Sequence, residues 1–319
     1  MSKKTLFLIN PVSGGRTGIR LKESLDRLLG KLSLLHSCDT AFTTADGQLI
    51  AREVLAGYDT VIAAGGDGTI AQIVQKLAEL DKKPQLGIIP LGTGNDLARV
   101  SGSYGLYKKK GLQTFVEALL CGTARPLDVF RVNAILYFTN YCGIGLDAKI
   151  SNDYNLGRDT PFMRAAASFL NGRAAYAWFS AVNLFYRMPF ALEFSYADAG
   201  RQTRTVQIAA GARQVLVTSI PSYAAGARPA HQCCIADGLF EVTVIETLWQ
   251  WFMLHMTRFI DIPLQRLLPS VKQFQTDSLT MNVPGSTCFQ ADGELYAGFL
   301  SEGPELTIKR ATQIELIFV

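Results

Sequence analysis

The 319-residue sequence is poor in histidine and has no metal-binding pattern of cysteines. Its three histidines, His36, His231 and His255, are scattered along the chain, so a Ser-His-Asp triad has no support. None of the six cysteines shows a C-x-x-C or other zinc-type spacing, and in a cytosolic setting we expect reduced, buried thiols. The sequence therefore predicts neither a zinc site nor a disulfide framework.

The chain also lacks a long apolar run and a strong excess of one charge. The apolar stretch near the N-terminus is about five residues long, too short for a signal peptide, and no stretch reaches the roughly 18 residues of a membrane-spanning helix. A net charge of +4 is too small to indicate nucleic-acid binding, although it allows weak attraction to an anionic membrane. We therefore expect a cytoplasmic protein, peripherally membrane-associated, that binds no nucleic acid.

What the sequence does have is a strand, a glycine turn and a helix between residues 59 and 77. Residues 61–64 are a short apolar run typical of a buried parallel strand, Gly-Gly-Asp-Gly follows, and apolar residues then recur at helical spacing. Such a turn lets main-chain N–H groups and a helix start approach a phosphate. Asp67 would repel that phosphate unless a divalent cation lay between them, which indicates a nucleotide with Mg²⁺. The alternative is a plain turn with a solvated Asp67.

Two further turns of this kind follow predicted strands. Residues 5–9 form a predicted strand that ends in Asn-Pro-Val-Ser-Gly-Gly, which is not a Walker A loop because it lacks the Gly-Lys-Ser/Thr ending. Residues 85–89 form another, which ends in Pro-Leu-Gly-Thr-Gly-Asn-Asp. With a strand at 38–43 and a helix at 48–55, the pattern predicts an open parallel α/β sheet, in which ligands bind at the carboxyl ends of the strands.

Together these motifs resemble the diacylglycerol kinase catalytic family, which includes bacterial lipid kinases and the sphingosine and ceramide kinases. The matching segments are N-P-V-S-G-G at 10–15, G-G-D-G-T at 65–69 and P-L-G-T-G-N-D-L-A-R at 90–99. NAD kinases and phosphofructokinases are similar only around G-G-D-G-T. The resemblance implies an α/β ATP-binding domain at 1–128, completed by 298–319, and a β-rich lipid-binding and catalytic domain at 129–297.

The resemblance also assigns roles to individual residues. Asp67, Asp96 and Asp128 are expected to join a magnesium and water network, and the alternative for Asp128 is an outward-facing strand carboxylate. Asp292 and Glu294 match the D-G-E motif that supplies the base for the lipid hydroxyl, with Glu294 preferred as base and Asp292 in support; taken alone, Asp-Gly would be a hairpin turn. The predicted nucleotide contacts are Asn10, Ser13, Gly14, Gly15, Thr43, Gly65, Gly66, Asp67, Gly68, Thr69, Gly92, Thr93, Gly94 and Asn95.

A second cation site and the acceptor lipid are also implied. In A-D-G-L-F-E at 236–241, Asp237 and the carbonyl of Leu239 would hold a structural metal, although Glu241 stands where the family has Asp. Residues 143–148 and 220–223 resemble the accessory region of diacylglycerol kinases, so the expected reaction transfers the ATP γ-phosphate to diacylglycerol. Another lipid alcohol (sphingosine, ceramide or phosphatidylglycerol) and a non-catalytic binding protein are the alternatives, and a homo-oligomer is left open.

Two aromatic-rich stretches with interspersed arginines lie in the second half, at 162–186 and 249–268. Each has two interpretations, a core helix or a lipid-facing surface, and either could line a cleft for acyl chains.

Overall fold

The first part of the chain alternates strands and helices, as the apolar pattern predicts. The structure is a computed structural model that describes residues 3–34, 37–43, 52–157, 160, 172–198, 200–296, 299, 303 and 305–319. The elements of the first part are β1 (Thr5–Ile9), α1 (Ser13–Lys31), β2 (Cys38–Phe42), α2 (Arg52–Leu55), β3 (Thr60–Gly65), α3 (Asp67–Ala78), β4 (Gln85–Pro90), α4 (Asp96–Val100), α5 (Ser103–Lys109), α6 (Leu112–Leu120) and β5 (Thr123–Val132). The start of the predicted helix at 48–55 lies outside the described residues.

Four of these strands form the parallel sheet that the sequence predicts. They pair in the order β2-β1-β3-β4, and β1 and β3 are buried at every residue. Both are central strands of the parallel segment, and apolar clusters lie on both faces of the sheet, which explains their continuous apolar runs. The parallel pairing places the carboxyl ends of β1, β3 and β4 at one edge.

The second part is rich in antiparallel strands. Its elements are β6 (Leu136–Phe138), β7 (Tyr141–Gly145), α7 (Leu146–Gly157), α8 (Gly172–Val182), β8 (Leu192–Ala197), β9 (Thr203–Ile208), β10 (Gln214–Thr218), β11 (Phe240–Ile245), α9 (Leu248–Ile260), α10 (Leu264–Leu267), β12 (Lys272–Thr276), β13 (Ser278–Asn282), β14 (Phe289–Ala291), β15 (Glu294–Leu295) and β16 (Glu305–Phe318). Six of them pair as an antiparallel sheet, in the order β12-β11-β10-β7-β14-β15. The predicted fold class, an α/β part and a β-rich part, is confirmed.

The long last strand joins the two parts. β16 pairs in parallel with β4 and antiparallel with β5 and β13, so the larger sheet continues from the parallel strands into β13, β8 and β9. A β-bulge interrupts its register with β5 between Arg310 and Thr312. β5 itself crosses the predicted domain boundary at residue 128.

The core of the second part lies between the two sheets. Val215 and Val217 of the smaller sheet belong to one buried cluster with Leu306 and Ile308 of the larger one, as in a β-sandwich. Helix α9 begins with a capping box, in which the Thr247 hydroxyl accepts the N–H of Gln250. Within the described ranges, no helix is both long enough and apolar enough to cross a bilayer.

Candidate active site

A cleft of about 920 Å³ opens where the carboxyl ends of the parallel strands face the second part of the chain. Its lining comes from the glycine turns after β3 and β4, from helices α7, α8 and α9, and from the β14–β15 turn. Several of its lining residues have charged or polar side chains, among them Asp67, Thr93, Asp96, Arg99, Asp147, Gln290, Asp292 and Glu294. The cleft therefore collects residues that are more than 200 positions apart in the sequence.

The turn after β1 lies against the turn after β4. Gly14, Gly15 and Arg16 have φ angles of 60°, 69° and 71°, a left-handed run that glycine adopts freely and arginine only with strain. A Cβ placed on Gly14 would lie 2.9 Å from the carbonyl oxygen of Leu91. The side-chain amide of Asn10 donates to the Thr69 hydroxyl at 2.8 Å, which ties the same turn to α3.

The turns after β3 and β4 touch through their main chains. A Cβ on Gly92 would lie 2.5 Å from the Cα of Gly66, so neither position has room for a side chain. Asn95 closes the second turn, because its side chain bonds both the N–H and the carbonyl of Gly92. Asp67 accepts the N–H groups of Asn95 and Asp96 at 2.7 and 2.9 Å, which caps the start of α4. The structure thus brings the three predicted turns together.

The remaining predicted nucleotide contacts lie around these turns. Thr43 is buried at the end of β2, where its N–H donates to Ile9. Ser13 is half-buried at the start of α1, and its carbonyl accepts the Thr17 hydroxyl. Thr93 is exposed and, with Gly94, lines the cleft.

The carboxyl group of Asp67 has a strongly raised pKa. Burial and the negative charge of Asp96 raise the pKa of Asp67 to about 7, although the two N–H bonds to its carboxylate oppose the rise. The negative charges of the buried Asp67 and of its neighbour Asp96 together favour a cation beside Asp67. Within the described residues, no group of three His, Cys, Asp or Glu side chains could hold an ion alone. The donors present suit Mg²⁺, which commonly binds one or two carboxylates together with phosphate oxygens.

Asp96 connects the two parts of the chain across the cleft. Its carboxylate is buried and accepts the Ser222 hydroxyl at 2.5 Å and the N–H groups of Ala225 and Gly226 at 3.0 Å. These donors belong to the segment after β10, which sequence reasoning connected only with the accessory region. With three of about four acceptor sites filled, Asp96 retains little capacity for a metal.

Asp292 and Gly293 form the two-residue turn of the β14–β15 hairpin. Both have positive φ, 49° and 83°, as a type I′ turn requires. The Asp292 carboxylate is buried and accepts the N–H groups of Thr139, Asn140 and Tyr141. Burial raises the pKa of Asp292 to about 6, and these N–H bonds oppose the rise. Asp292 therefore fixes the hairpin to the turn before β7.

Glu294 extends from this hairpin to the start of α3. A Cβ placed on Gly68 would overlap Oε1 of Glu294 and lie 3.0 Å from its Cδ. The carboxylate therefore occupies the space that glycine leaves open, one residue from Asp67. The partial positive charge of the helix start favours a carboxylate in this position.

Asp128 lies outside this cleft. It is buried, so the outward-facing alternative is wrong, because β16 packs beside β5 and covers it. Its carboxylate accepts the N–H of Gly238 at 2.6 Å, Nε of Arg310 at 2.8 Å and Nε2 of Gln313 at 2.9 Å. The structure does not bring Asp128 to Asp67 and Asp96. No sequence motif marked Arg310 or Gln313 beforehand.

The predicted structural metal site lies next to this ion pair. The Asp237 carboxylate is exposed and accepts the N–H of Leu239 at 3.0 Å and Nε2 of Gln275 at 3.2 Å. The Arg310 side chain passes 3.5 Å from the position of a Cβ on Gly238. The Arg310 guanidinium therefore supplies positive charge at this turn.

Two arginines supply positive charge to the cleft. Nε of Arg99 donates to the carbonyl of Gly94, and its guanidinium lies 4.0 Å from the ring centroid of Tyr104. The Arg258 guanidinium lies 2.6 Å from Nδ1 of His255. Burial lowers the pKa of His255 to about 3, so its ring is neutral and Nδ1 can accept from Arg258. Both residues lie in the aromatic-rich stretch at 249–268, which was predicted to be able to line a cleft, but no sequence motif assigned either of them a role.

Comparison with known proteins agrees with this geometry. Residues 4–132 match the model of the diacylglycerol kinase catalytic domain, and residues 137–295 match that of the diacylglycerol kinase accessory domain. The chain belongs to the diacylglycerol kinase family. The predicted resemblance is thereby confirmed.

Relatives in this diacylglycerol kinase family match the chain over different lengths. A Bacillus subtilis diacylglycerol kinase is 36% identical over 155 residues, which is 47% of this chain and 48% of the relative. The chain thus spans about half the length of that relative. A Bacillus subtilis lipid kinase candidate, YtlR, is 26% identical over 91% of this chain and 92% of its own.

Solved structures show the same fold. A diacylglycerol kinase structure from Bacillus anthracis superposes with a TM-score of 0.67 at 19% identity, covering 99% of this chain and 97% of the other. Yeast NADH kinase superposes with a TM-score of 0.50 at 9% identity, covering 100% and 84%. At these identities the similarity concerns the fold alone.

Proposed function

We propose that the protein transfers the γ-phosphate of ATP to the hydroxyl of diacylglycerol and produces phosphatidic acid. The observation that carries this proposal is the position of the Glu294 carboxylate against Gly68, beside Asp67 and the three glycine turns. A carboxylate at that place can accept a proton from an alcohol that lies next to a bound triphosphate. A protein that only binds nucleotide would have no use for it.

The glycine turns would hold the phosphates of ATP through main-chain N–H groups and the start of α3. Asp67 would hold Mg²⁺, which would supply positive charge to offset that of the phosphates. Arg99 and Arg258 line the same cleft and would add positive charge where negative charge develops in the transition state.

Glu294 is the proposed general base, and Asp292 the residue that positions it. As the lipid oxygen forms its bond to the γ-phosphorus, the bond from that phosphorus to the β–γ bridging oxygen breaks and ADP leaves. The hydroxyl proton passes to the Glu294 carboxylate. Asp292 is less suited to this step, because both of its oxygens accept main-chain N–H groups of residues 139–141.

The choice of diacylglycerol rests on the family relatives and on the apolar side of the cleft. Ile150, Tyr154, Trp251 and Phe259 give the cleft an apolar part, which suits acyl chains beside a hydroxyl. A lipid that carries an amine, such as sphingosine, is the second candidate. Asp147 lines the cleft beside Gln290, at 2.6 Å, and an acidic side chain there suits a cation.

The test is an assay with radiolabelled ATP and Mg²⁺ in mixed micelles that present diacylglycerol, sphingosine, ceramide or phosphatidylglycerol separately. Wild type is compared with Asp67→Asn and with Gly105→Ala, a change on α5 where an added Cβ meets no atom within 4 Å. We expect label in phosphatidic acid, its loss in Asp67→Asn and its retention in Gly105→Ala. Label in another lipid would replace diacylglycerol as substrate, and no label in any lipid would contradict the kinase proposal.

A further inference from the structure

Helix α9 presents three different faces. At about 100° per residue, Gln250, Leu254 and Thr257 fall within an arc of about 60°, and all three are buried. A second face, centred roughly 120° away, lines the cleft with Trp251, His255, Arg258 and Phe259. The core and the cleft therefore account for somewhat more than half of the helix surface.

The third face is exposed and wholly apolar. Trp249, Phe252, Met256, Phe259 and Ile260 fall within an arc of about 100° on the remaining side. Four of them are largely exposed, from 43% at Ile260 to 76% at Phe259, and Met256 is half-buried. The rings of Trp249 and Phe252 stack at 5.9 Å, so they form one patch. No charged side chain interrupts this face.

A second helix beside the cleft is exposed in the same way. Ala177 and Ser180 of α8 line the cleft, whereas Trp178 and Val182 are 58% and 63% exposed. Phe185, just beyond the end of α8, is 77% exposed. Helical spacing of four residues puts Trp178 and Val182 on one side of α8.

The exposed aromatic residues are concentrated at this cleft. Among the described residues, the aromatic side chains that are largely exposed are Phe42, Trp178, Phe185, Trp249, Phe252 and Phe259. All but Phe42 belong to α8, its end, or α9. Exposed apolar patches of this kind mark interaction sites. Phe259 belongs both to the exposed face and to the cleft lining, so the two are continuous.

We propose that this aromatic face, defined as Trp249, Phe252, Phe259 and Ile260 of α9 together with Trp178 and Phe185, inserts into the surface of a lipid bilayer. The inference rests on the proposed function, because a diacyl lipid leaves a bilayer most easily through a mouth that already lies in it. Large amphipathic rings are the side chains that settle at the membrane–water interface.

Positive charge lies beside the aromatic face, where the Arg258 guanidinium is 6.0 Å from the ring centroid of Phe259. Arg258 lines the cleft beside the aromatic face, and Nζ of Lys108 lies 5.4 Å from the ring centroid of Tyr104, another lining residue. Positive charge close to an inserted apolar face strengthens binding to anionic lipids. The face itself is uncharged, so we expect binding to persist in part at high ionic strength.

The experiment is co-sedimentation, without ATP, with vesicles of phosphatidylcholine and phosphatidylglycerol. It compares wild type with Trp249→Ala/Phe252→Ala, two residues outside the cleft, and with Phe42→Ala, an exposed aromatic residue elsewhere. We expect the double variant to bind at least about tenfold more weakly and Phe42→Ala to bind as wild type does. Thermal melting checks that each variant is folded.

Three results would overturn the proposal. These are a wild type that does not sediment with vesicles, a double variant that sediments as wild type does, and a wild type that dimerises without lipid and loses its dimer in the double variant. Phosphorylation of a short-chain diacylglycerol, dispersed as monomers, tests the proposed function of the wild type separately. Failure of docking and failure of the kinase proposal are thus distinguishable.

Discussion

Replacing Gly68 with alanine should displace the Glu294 carboxylate while leaving the fold intact. The added Cβ would overlap Oε1 of Glu294, and its 3.0 Å distance to Cδ is shorter than ordinary contact. Because the contact is with the end of a flexible side chain, Glu294 moves rather than the backbone. Gly68 lies in the first turn of α3 with an ordinary negative φ, so alanine there should cost no stability and can add up to about 1 kcal/mol.

The catalytic effect follows from the role proposed for Glu294. General-base catalysis contributes roughly 10²–10⁴-fold, so losing the carboxylate's position should lower the rate of phosphoryl transfer by about 10²-fold or more. The assay is single-turnover transfer of label from bound ATP to diacylglycerol. Gly105→Ala on α5 is the matched control, since its Cβ meets no atom within 4 Å.

A double-mutant cycle separates displacement of Glu294 from any direct effect on the phosphates. If Gly68→Ala acts by moving the carboxylate, adding it to Glu294→Gln should cost little beyond Glu294→Gln alone. Additive losses would show that the methyl group acts on the nucleotide instead. A Gly68→Ala protein that transfers phosphate at the wild-type rate would refute the reasoning.

Three more predictions follow from the buried carboxylates. Because the pKa of Asp67 is about 7, the affinity for Mn²⁺ should fall about tenfold for each pH unit below that value. Paramagnetic resonance without nucleotide measures this affinity, and Asp67→Asn should make it independent of pH. A wild-type affinity that does not change with pH would contradict this prediction. Arg310→Leu leaves the buried Asp128 without its cation and should lower the free energy of urea unfolding by about 2–3 kcal/mol. The loss should be smaller than for a fully buried pair because the Arg310 side chain is 43% exposed, and Asp128→Asn should partly restore stability. Wild-type stability in Arg310→Leu would show that this ion pair does not stabilise the protein. Asp292→Asn turns an amide donor towards main-chain N–H groups and should cost about 1–3 kcal/mol, and an unchanged urea midpoint would argue against its anchoring role.

The sheet and its glycine turns could be predicted because their signals are local. An apolar run that ends in glycine marks a parallel strand and its turn, and parallel pairing then brings the ends of β1, β3 and β4 together whatever the rest of the chain does. The Asp-Gly pair at Asp292 likewise indicated a hairpin, which the structure contains.

The partners of the carboxylates could not be predicted, because they are distant in sequence. Arg310 meets Asp128 only because β16 returns to lie beside β5, 182 positions later. Asp96 is bound by Ser222 in the same long-range way. No periodicity or spacing encodes such contacts. The family resemblance therefore implied that Asp96 and Asp128 bind a metal, whereas their hydrogen-bond donors within the protein could not be predicted.

In helix α9, both interpretations of the aromatic stretch, a core helix and an exposed surface, are correct for different faces of the helix. In the segment at 249–268, Leu254 packs into the core while Trp249 and Phe259 are exposed, so the choice between core and surface differs from face to face. Of the stretch at 162–186, residues 162–171 lie outside the described residues. The sequence could predict an amphipathic helix at 249–268, but not which of its apolar faces the rest of the protein would leave exposed.

The most direct test of the central claim is a rapid-quench measurement of label transfer from bound ATP to diacylglycerol in wild type and in Glu294→Gln. We expect labelled phosphatidic acid from wild type, and a rate at least about 10²-fold lower from Glu294→Gln with ATP binding unchanged. Equal rates in the two proteins would contradict the assignment of Glu294 as the base, and no labelled lipid from wild type would contradict the kinase itself.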